Sequence, residues 1–298
     1  MRDTSRLLSP LRRNVVCWGL IWLFLVALRS MPLDSQPLGG AFITIDFPDA
    51  DITIIKGINN LGQIVGIHQS GISSVRGFLW DQGQFTPIEI PGATTILANG
   101  INDAGEIVGY YLDSTGSHGF LLSEGQITEI AFPGAFTTYP TGINDAGQIV
   151  GDYYGGLALR GFLLDRGQFI TIDFPGADQT FPNGINASGQ IVGHYKIGKI
   201  GHAFLLDGSQ FATIDFPGAD GTRLSGINDA GQLVGEYGIG GVLHGFLLDG
   251  GKFTTVDVPG ADLTGVNGIN NNRQIVGHYS TGNQVHGFLL KYFVQSSK

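Results

Sequence analysis

Histidines at multiples of a fixed interval are the first residues in this chain that could do chemistry. His118, His202, His244 and His286 each precede a Gly-Phe or Ala-Phe step, and those steps recur every 42 residues. A ring of imidazoles would suit a metal, but the spacing argues against one. Equivalent positions on successive repeat units stand about 10 Å apart or more, the width of a packed sheet, whereas zinc needs nitrogen ligands near 2 Å, so about four converging side chains cannot come from such a series. Arg76 and Arg160 replace the histidine in the two remaining copies. The residue is therefore read as a donor that ties a loop carbonyl, and no metal is expected. The acids Asp46, Asp173, Asp215 and Asp257 recur at one strand position, which gives no reason to pair any two as general acid and base. No G-x-S-x-G, H-E-x-x-H, EF-hand loop or phosphate loop occurs, and no catalytic residue or cofactor is assigned.

Repeated residues build the repeat, so a site is sought where the copies disagree. One equivalent position carries Ile54, Leu97, Tyr139, Phe181, Arg223 and Gly265. If these gather at one mouth of a central channel, Tyr139, Phe181 and Arg223 form a candidate ligand-binding set, able to stack on and hydrogen-bond a sugar or a peptide. Asp152 and Glu236 are carboxylates that likewise stand outside the repeat pattern. Were they to face one cleft, a polysaccharide hydrolase or lyase in the channel would be favoured over a binding module.

The elements that must position these residues follow from six near copies of "GINDAGQIVG", with GIN beginning at 57, 100, 142, 184, 226 and 268. Each copy reads as four short strands rich in Ile, Val, Phe, Leu and Tyr and bounded by Gly, Pro and Asp. In "NDAGQ" the glycine suits a type I turn with a G1 bulge, making a hairpin of the GIN and QIVG strands, and "DRGQ" is read in the same way. The Asn of GIN, from Asn59 to Asn270, is expected to fix that hairpin. Apolar side chains on both faces of the strands require each sheet to be sandwiched between neighbours. The expected fold is all-β, a six-bladed β-propeller of four-stranded antiparallel blades. A lone "FITIDF" at 42–47 precedes the first full copy, and the last copy lacks that strand. The N-terminal strand is thus expected to close the ring and suppress an open edge.

The GIN, GQIVG and HGF or HAF elements resemble the bacterial HAF-repeat family of exported proteins, literally so at His202-Ala203-Phe204, over residues 42–298. The resemblance implies an extracytoplasmic, propeller-like repeat protein and brings no assigned catalytic residues.

Residues 1–40 differ in kind. Arg2, Arg6, Arg12 and Arg13 precede an apolar run from Val15 to Leu28 that Arg29 ends. The run is shorter than the roughly 18–20 residues that span a bilayer, so this segment is read as a signal peptide or an uncleaved N-terminal anchor with a short linker. Residues 41–298 hold the six repeats. The single cysteine, Cys17, lies in the apolar run, which excludes disulfides and a cysteine nucleophile from the repeat region. From Phe42 onward 23 acidic residues face 11 basic ones, a surface that repels nucleic acid.

The function expected from the sequence is an exported, non-enzymatic binding or scaffold module, periplasmic, on the cell surface or secreted. Its partner would be a glycan or an envelope protein, and it would meet a membrane only through an uncleaved N-terminal segment. The enzyme in the channel is the alternative, and a purely structural surface protein is the second alternative. A monomer is expected.

Overall fold

A computed structural model describes residues 40–292 apart from Ser73 and Leu157. The candidate export segment, residues 1–39, lies outside the described residues. All regular structure among them is strand. In chain order, β1 (Gly40–Ile45) precedes β2 (Ile52–Ile58), β3 (Ile64–Gln69), β4 (Arg76–Asp81) and β5 (Gln84–Pro87). The second repeat gives β6 (Thr95–Ile101), β7 (Ile107–Leu112), β8 (Ser117–Ser123) and β9 (Gln126–Ile130). The third gives β10 (Thr137–Ile143), β11 (Ile149–Tyr154), β12 (Leu159–Asp165) and β13 (Gln168–Ile172). The fourth gives β14 (Gln179–Ile185), β15 (Ile191–Ile197), β16 (Ile200–Asp207) and β17 (Gln210–Thr213). The fifth gives β18 (Gly221–Ile227), β19 (Leu233–Ile239), β20 (Val242–Asp249) and β21 (Lys252–Val256). The last has only β22 (Leu263–Ile269), β23 (Gln274–Thr281) and β24 (Gln284–Tyr292).

Repeats two to five each form a four-stranded antiparallel sheet in sequence order. The first and last repeats do not stay separate as the sequence reading expects. They share one eight-stranded sheet, because Ile52 pairs with Val285 in a single parallel bridge. β1 pairs antiparallel with β24, Gly40 against Tyr292 through Ile45 against Gly287, and so supplies the outer strand that the last repeat lacks. Two side-chain bonds pin it: Thr44 Oγ1 lies 2.9 Å from the Tyr279 hydroxyl, and Asp46 Oδ2 lies 2.7 Å from His286 Nδ1.

The turns explain the regular hairpins. In "NDAGQ" Gly147 takes φ 74° and its N–H donates to the Asn144 carbonyl at 3.0 Å, as a bulged type I turn requires. "DRGQ" differs from the expected turn. Arg166 and Gly167 both have positive φ, 48° and 77°, and Asp165 pairs directly with Gln168. This is the two-residue type I′ connection, whose twist matches that of the flanking strands. Arg273 stands where five copies have glycine and is held in the same region at φ 59°.

The phenylalanine of the 42-residue step, at 78, 120, 162, 204, 246 and 288, is fully buried in every copy. The Asn of GIN does more than fix its own hairpin. Asn144 Oδ1 accepts the Gln148 N–H at 3.0 Å, while its Nδ2 donates to Gln148 Oε1 at 2.8 Å and to the Asn186 carbonyl of the next repeat at 3.0 Å. The inter-repeat bond recurs from Asn59 to Asn102 and onward until Asn270 returns it to the Asn59 carbonyl at 2.9 Å. Six such bonds make a closed cycle.

A second cycle, one residue on, is incomplete. The backbone N–H of Asn60, Asp103, Ala187, Asp229 and Asn271 each donates to the Asp or Asn side chain at the equivalent position of the next repeat. Asp145 has no such acceptor, because that position holds Ala187. Ala187→Asn restores the missing acceptor without adding charge, and we expect it to raise unfolding stability by about 0.5–1.5 kcal/mol in urea titrations. No gain would mean that water already serves the Asp145 N–H.

Candidate functional site

The mouth residues sit in pairs across the first two strands of each repeat. Ile54 faces Ile67, Leu97 faces Tyr110, Tyr139 faces Asp152, Phe181 faces His194, Arg223 faces Glu236 and Gly265 faces His278. No two pairs are alike. Beside them the backbone is fixed by the glycine of QIVG. A Cβ at Gly151 would run into the Tyr139 carbonyl oxygen, and one at Gly193 into that of Phe181, so this glycine is required by close approach of the two strands.

These strands enclose a cavity of about 350 Å³ lined by Leu97, Tyr110, Tyr139, Asp152 and Arg223. The residue preceding GIN completes its floor in every repeat: Lys56, Asn99, Thr141, Asn183, Ser225 and Asn267. At four of these six positions the side chain ties one repeat to the next. Asn99 donates to the Pro140 carbonyl at 2.8 Å, Thr141 to that of Pro182 at 2.8 Å, Asn183 to that of Leu224 at 2.6 Å and Asn267 to that of Ile55 at 2.6 Å. Lys56 makes no such bond. It is half-buried and has no hydrogen-bond or ion-pair partner among the described residues.

Of the three residues expected from sequence, Tyr139 and Arg223 line this cavity, and Phe181 is not among its lining residues. The Tyr139 ring meets that of Tyr110 edge to face at 4.8 Å. Arg223 Nη1 donates to Glu236 Oε1 at 2.9 Å, a pair in which the carboxylate is the more buried member. The Phe181 ring lies flat against His194 at 4.5 Å, with the Lys196 ammonium 5.5 Å from its centroid. Asp152 lines the cavity, whereas Glu236 reaches its wall through Arg223.

Electrostatics separate these groups. Asp152 has no hydrogen-bonding partner among the described residues, and burial pushes its carboxyl up to about 7. Burial, with weaker repulsion from Arg223 and Lys196, pushes His194 down to about 3. Burial, with Lys56 nearby, pushes His278 down to about 4. Both imidazoles are therefore neutral near pH 7, each with Nδ1 beside an asparagine amide, Asn183 at 3.3 Å and Asn267 at 3.2 Å. Burial lowers the Lys56 ammonium too, opposed by the field of Glu236 and reinforced by that of Arg223. Lys56, Tyr110 and the amide floor were missed by the sequence reading. Aligning the residue before GIN would have exposed Lys56 as the one charged member of that series.

The repeated histidines lie elsewhere and hold carboxylates more than carbonyls. His202 Nδ1 stands 2.7 Å from Asp215, His244 2.8 Å from Asp257 and His286 2.7 Å from Asp46. Arg160 stands 3.1 Å from Asp173, and only Arg76 reaches a loop carbonyl, that of Ala93. The repeated acids thus have structural partners. Among the described residues no group of three or more His, Cys, Asp or Glu side chains could hold a metal ion. His118, beside Glu129 and Asp113, is raised above its ordinary value chiefly by the hydrogen bond to Glu129. A raised imidazole stabilises the fold below its unfolded value of 6.5, and this contribution disappears as pH rises through the folded value. Thermal melts of wild type and His118→Gln should therefore differ most near pH 5.5 and converge by pH 8.5, and a constant difference would refute the linkage.

The sheets, their hairpin connectivity and the closed cycle of inter-repeat bonds define a β-propeller repeat fold, with its asymmetric cavity at one mouth. No family model and no curated protein matches the chain. Solved structures do. TolB from Acinetobacter baumannii is similar at 11% identity and a TM-score of 0.54, over 73% of this chain and 60% of that one. A Trypanosoma rangeli sialidase is similar at 8% identity and a TM-score of 0.52, over 87% of this chain and 60% of the sialidase. A catalytically inactive virginiamycin B lyase from Staphylococcus aureus, with quinupristin, is similar at 12% identity and a TM-score of 0.50, over 86% of this chain and all of that one. At such identities the likeness is one of fold alone.

Proposed function

We propose that the chain is an exported, non-enzymatic six-bladed β-propeller that binds a glycan of the cell envelope or surroundings through the charged mouth cavity. The count of six treats the eight-stranded sheet as two blades joined by the bridge at Ile52, and the six-membered cycle of asparagine bonds supports it. Export rests on the N-terminal charge and apolar pattern and on the resemblance to HAF-repeat proteins. The observation that carries the binding role is the divergence of the six mouth pairs. Every repeat faces the same packing demands, and the GIN asparagine answers them identically six times, while five residues earlier the six pairs share no combination. Packing alone does not require that difference, whereas one asymmetric ligand does. Tyr139 offers an aromatic face, Arg223 a planar donor and the floor a ring of amides and hydroxyls, the mixture that suits a polyhydroxylated ligand. Phe181, stacked on His194 and next to the Lys196 ammonium, is the third aromatic or basic member of this set.

A hydrolase or lyase in the channel is the second reading, and Asp152 favours it. A carboxyl held near neutrality in a cavity has the proton affinity of a general acid. Glycan arrays probed with the purified protein, followed by reducing-end assays on every bound glycan, separate the two. Binding without product that falls in Tyr139→Ala and Arg223→Ala supports the binding module. Product release that stops in Asp152→Asn establishes the enzyme.

A further inference from the structure

Two groups in the mouth cavity are left without partners, and they are of opposite type. Lys56 replaces a side chain whose usual work, in four other repeats, is to donate to the next repeat's carbonyl. Its ammonium forgoes that bond and lines the cavity instead. Asp152 lines the same cavity and receives no hydrogen bond from any described residue. They are not paired with one another. Unpaired polar groups in a confined space are costly unless a ligand completes them.

The charges around the cavity limit what that ligand can be. Arg223 is balanced by Glu236 at 2.9 Å. His194 and His278 are neutral, and Tyr110 is held more firmly protonated by burial and by the nearby Tyr139 and Asp152. Asp152 is largely uncharged below neutrality. Lys56, whose ammonium burial disfavours and the field of Glu236 supports, is left as the cationic side chain of the cavity with no hydrogen-bonded or ion-paired partner among the described residues. A single anionic group is therefore the missing partner on the Lys56 side. On the Asp152 side the missing partner is a hydrogen-bonding hydroxyl, since a protonated carboxyl donates and accepts like one. The space between is lined by amides, hydroxyls and two tyrosine rings.

We propose that the mouth cavity is selective for a carboxylated sugar unit, with Lys56 receiving its carboxylate and Asp152 bonding its ring hydroxyls. This deepens the binding role proposed above and rests on it. It also carries a proton linkage. Ionised Asp152 places a second carboxylate beside the ligand's own, so uptake of the sugar acid draws a proton onto Asp152. The other groups of the cavity and its wall are Tyr110, Tyr139, Lys56 and Arg223 with Glu236, and burial keeps the imidazoles of His194 and His278 neutral from pH 6 to 8.

The test is calorimetric titration of the full chain with glucuronate and with glucose, at pH 6.0 and pH 8.0, in wild type, Lys56→Met and Asp152→Asn. The expected result is that glucuronate binds the wild type more tightly than glucose. Lys56→Met should lose that preference by about tenfold to a hundredfold, the range of one charged hydrogen bond. Wild-type affinity for glucuronate should fall between pH 6.0 and pH 8.0, and in Asp152→Asn the fall should vanish. Equal binding of the two sugars, or tighter binding of glucose, overturns the acidic-sugar selectivity while leaving a glycan site in place. If neither sugar nor any glycan of the array competes at the mouth, both the selectivity and the binding role fall. Retained binding with an unchanged preference in Lys56→Met overturns the assignment of Lys56 even if glucuronate is the better ligand.

Discussion

Asp152→Asn is expected to make the protein more stable at pH 7 by about 2–4 kcal/mol. The carboxyl has an ordinary value of 3.8 and is held at about 7 in the fold. The folded state thus keeps a proton that the unfolded chain has already released, and folding must take that proton up at a cost that grows with pH. The sign follows directly. Below pH 3.8 both states are protonated and the substitution changes little. Between about 4 and about 7 the wild type loses stability relative to the variant, and above about 7 the difference is constant. An asparagine of nearly the same shape needs no proton, so the variant escapes the penalty. Urea midpoints of the two proteins at pH 4 and pH 7.5 measure this. Parallel stabilities at both values would show that Asp152 is ordinarily solvated and would remove the electrostatic basis for its role in the mouth.

Phe204→Ala should have the second large effect, a loss of about 3–5 kcal/mol. The ring is fully buried in the fourth repeat and packs edge to face on Phe211 at 5.4 Å. It also belongs to a cluster with Ile185, Ile191 and Val150, the last of these from the preceding repeat. Truncation would therefore open a void between neighbouring sheets as well as inside one, at the face of Gly193 that the Phe204 ring covers. Chemical denaturation reads the loss. A change below about 1 kcal/mol would mean that the sheets close up freely, contrary to the packing density of ordinary protein interiors.

The architecture was largely legible in the chain because the repeats reinforce one another. Six phenylalanines in strict register, six asparagines before a turn and an unpaired strand at the start left few other arrangements. The turns were less so. "DRGQ" and "NDAGQ" both place glycine before glutamine, and only the direct pairing of Asp165 with Gln168 tells a two-residue turn from a bulged one. The fusion of the first and last repeats into one sheet depends on a single bridge whose residues, Ile52 and Val285, look like any others. At the mouth, searching for broken repetition found Tyr139 and Arg223. Lys56 is masked in the sequence because it directly precedes GIN, the best-repeated element of the chain. Nor does the sequence show that His194 occupies one face of the Phe181 ring, since that contact is made across strands.

The hexapeptide FITIDF occurs twice, at 42–47, where β1 begins the ring, and at 169–174, where β13 ends the third repeat. Either copy is chemically fit for either edge. What assigns them is tether length. β13 follows β12 through two residues, whereas β1 meets β24 only across some 240 positions, as from Asp46 to His286. Loop-closure entropy favours the short tether. During synthesis the interior copy therefore claims its edge as it emerges, and the strand made first is docked last. Ring closure is then the slow, long-range step of folding, and until it occurs the growing chain carries one adhesive strand whose only remaining vacancy is at its own far end or on the far end of another copy.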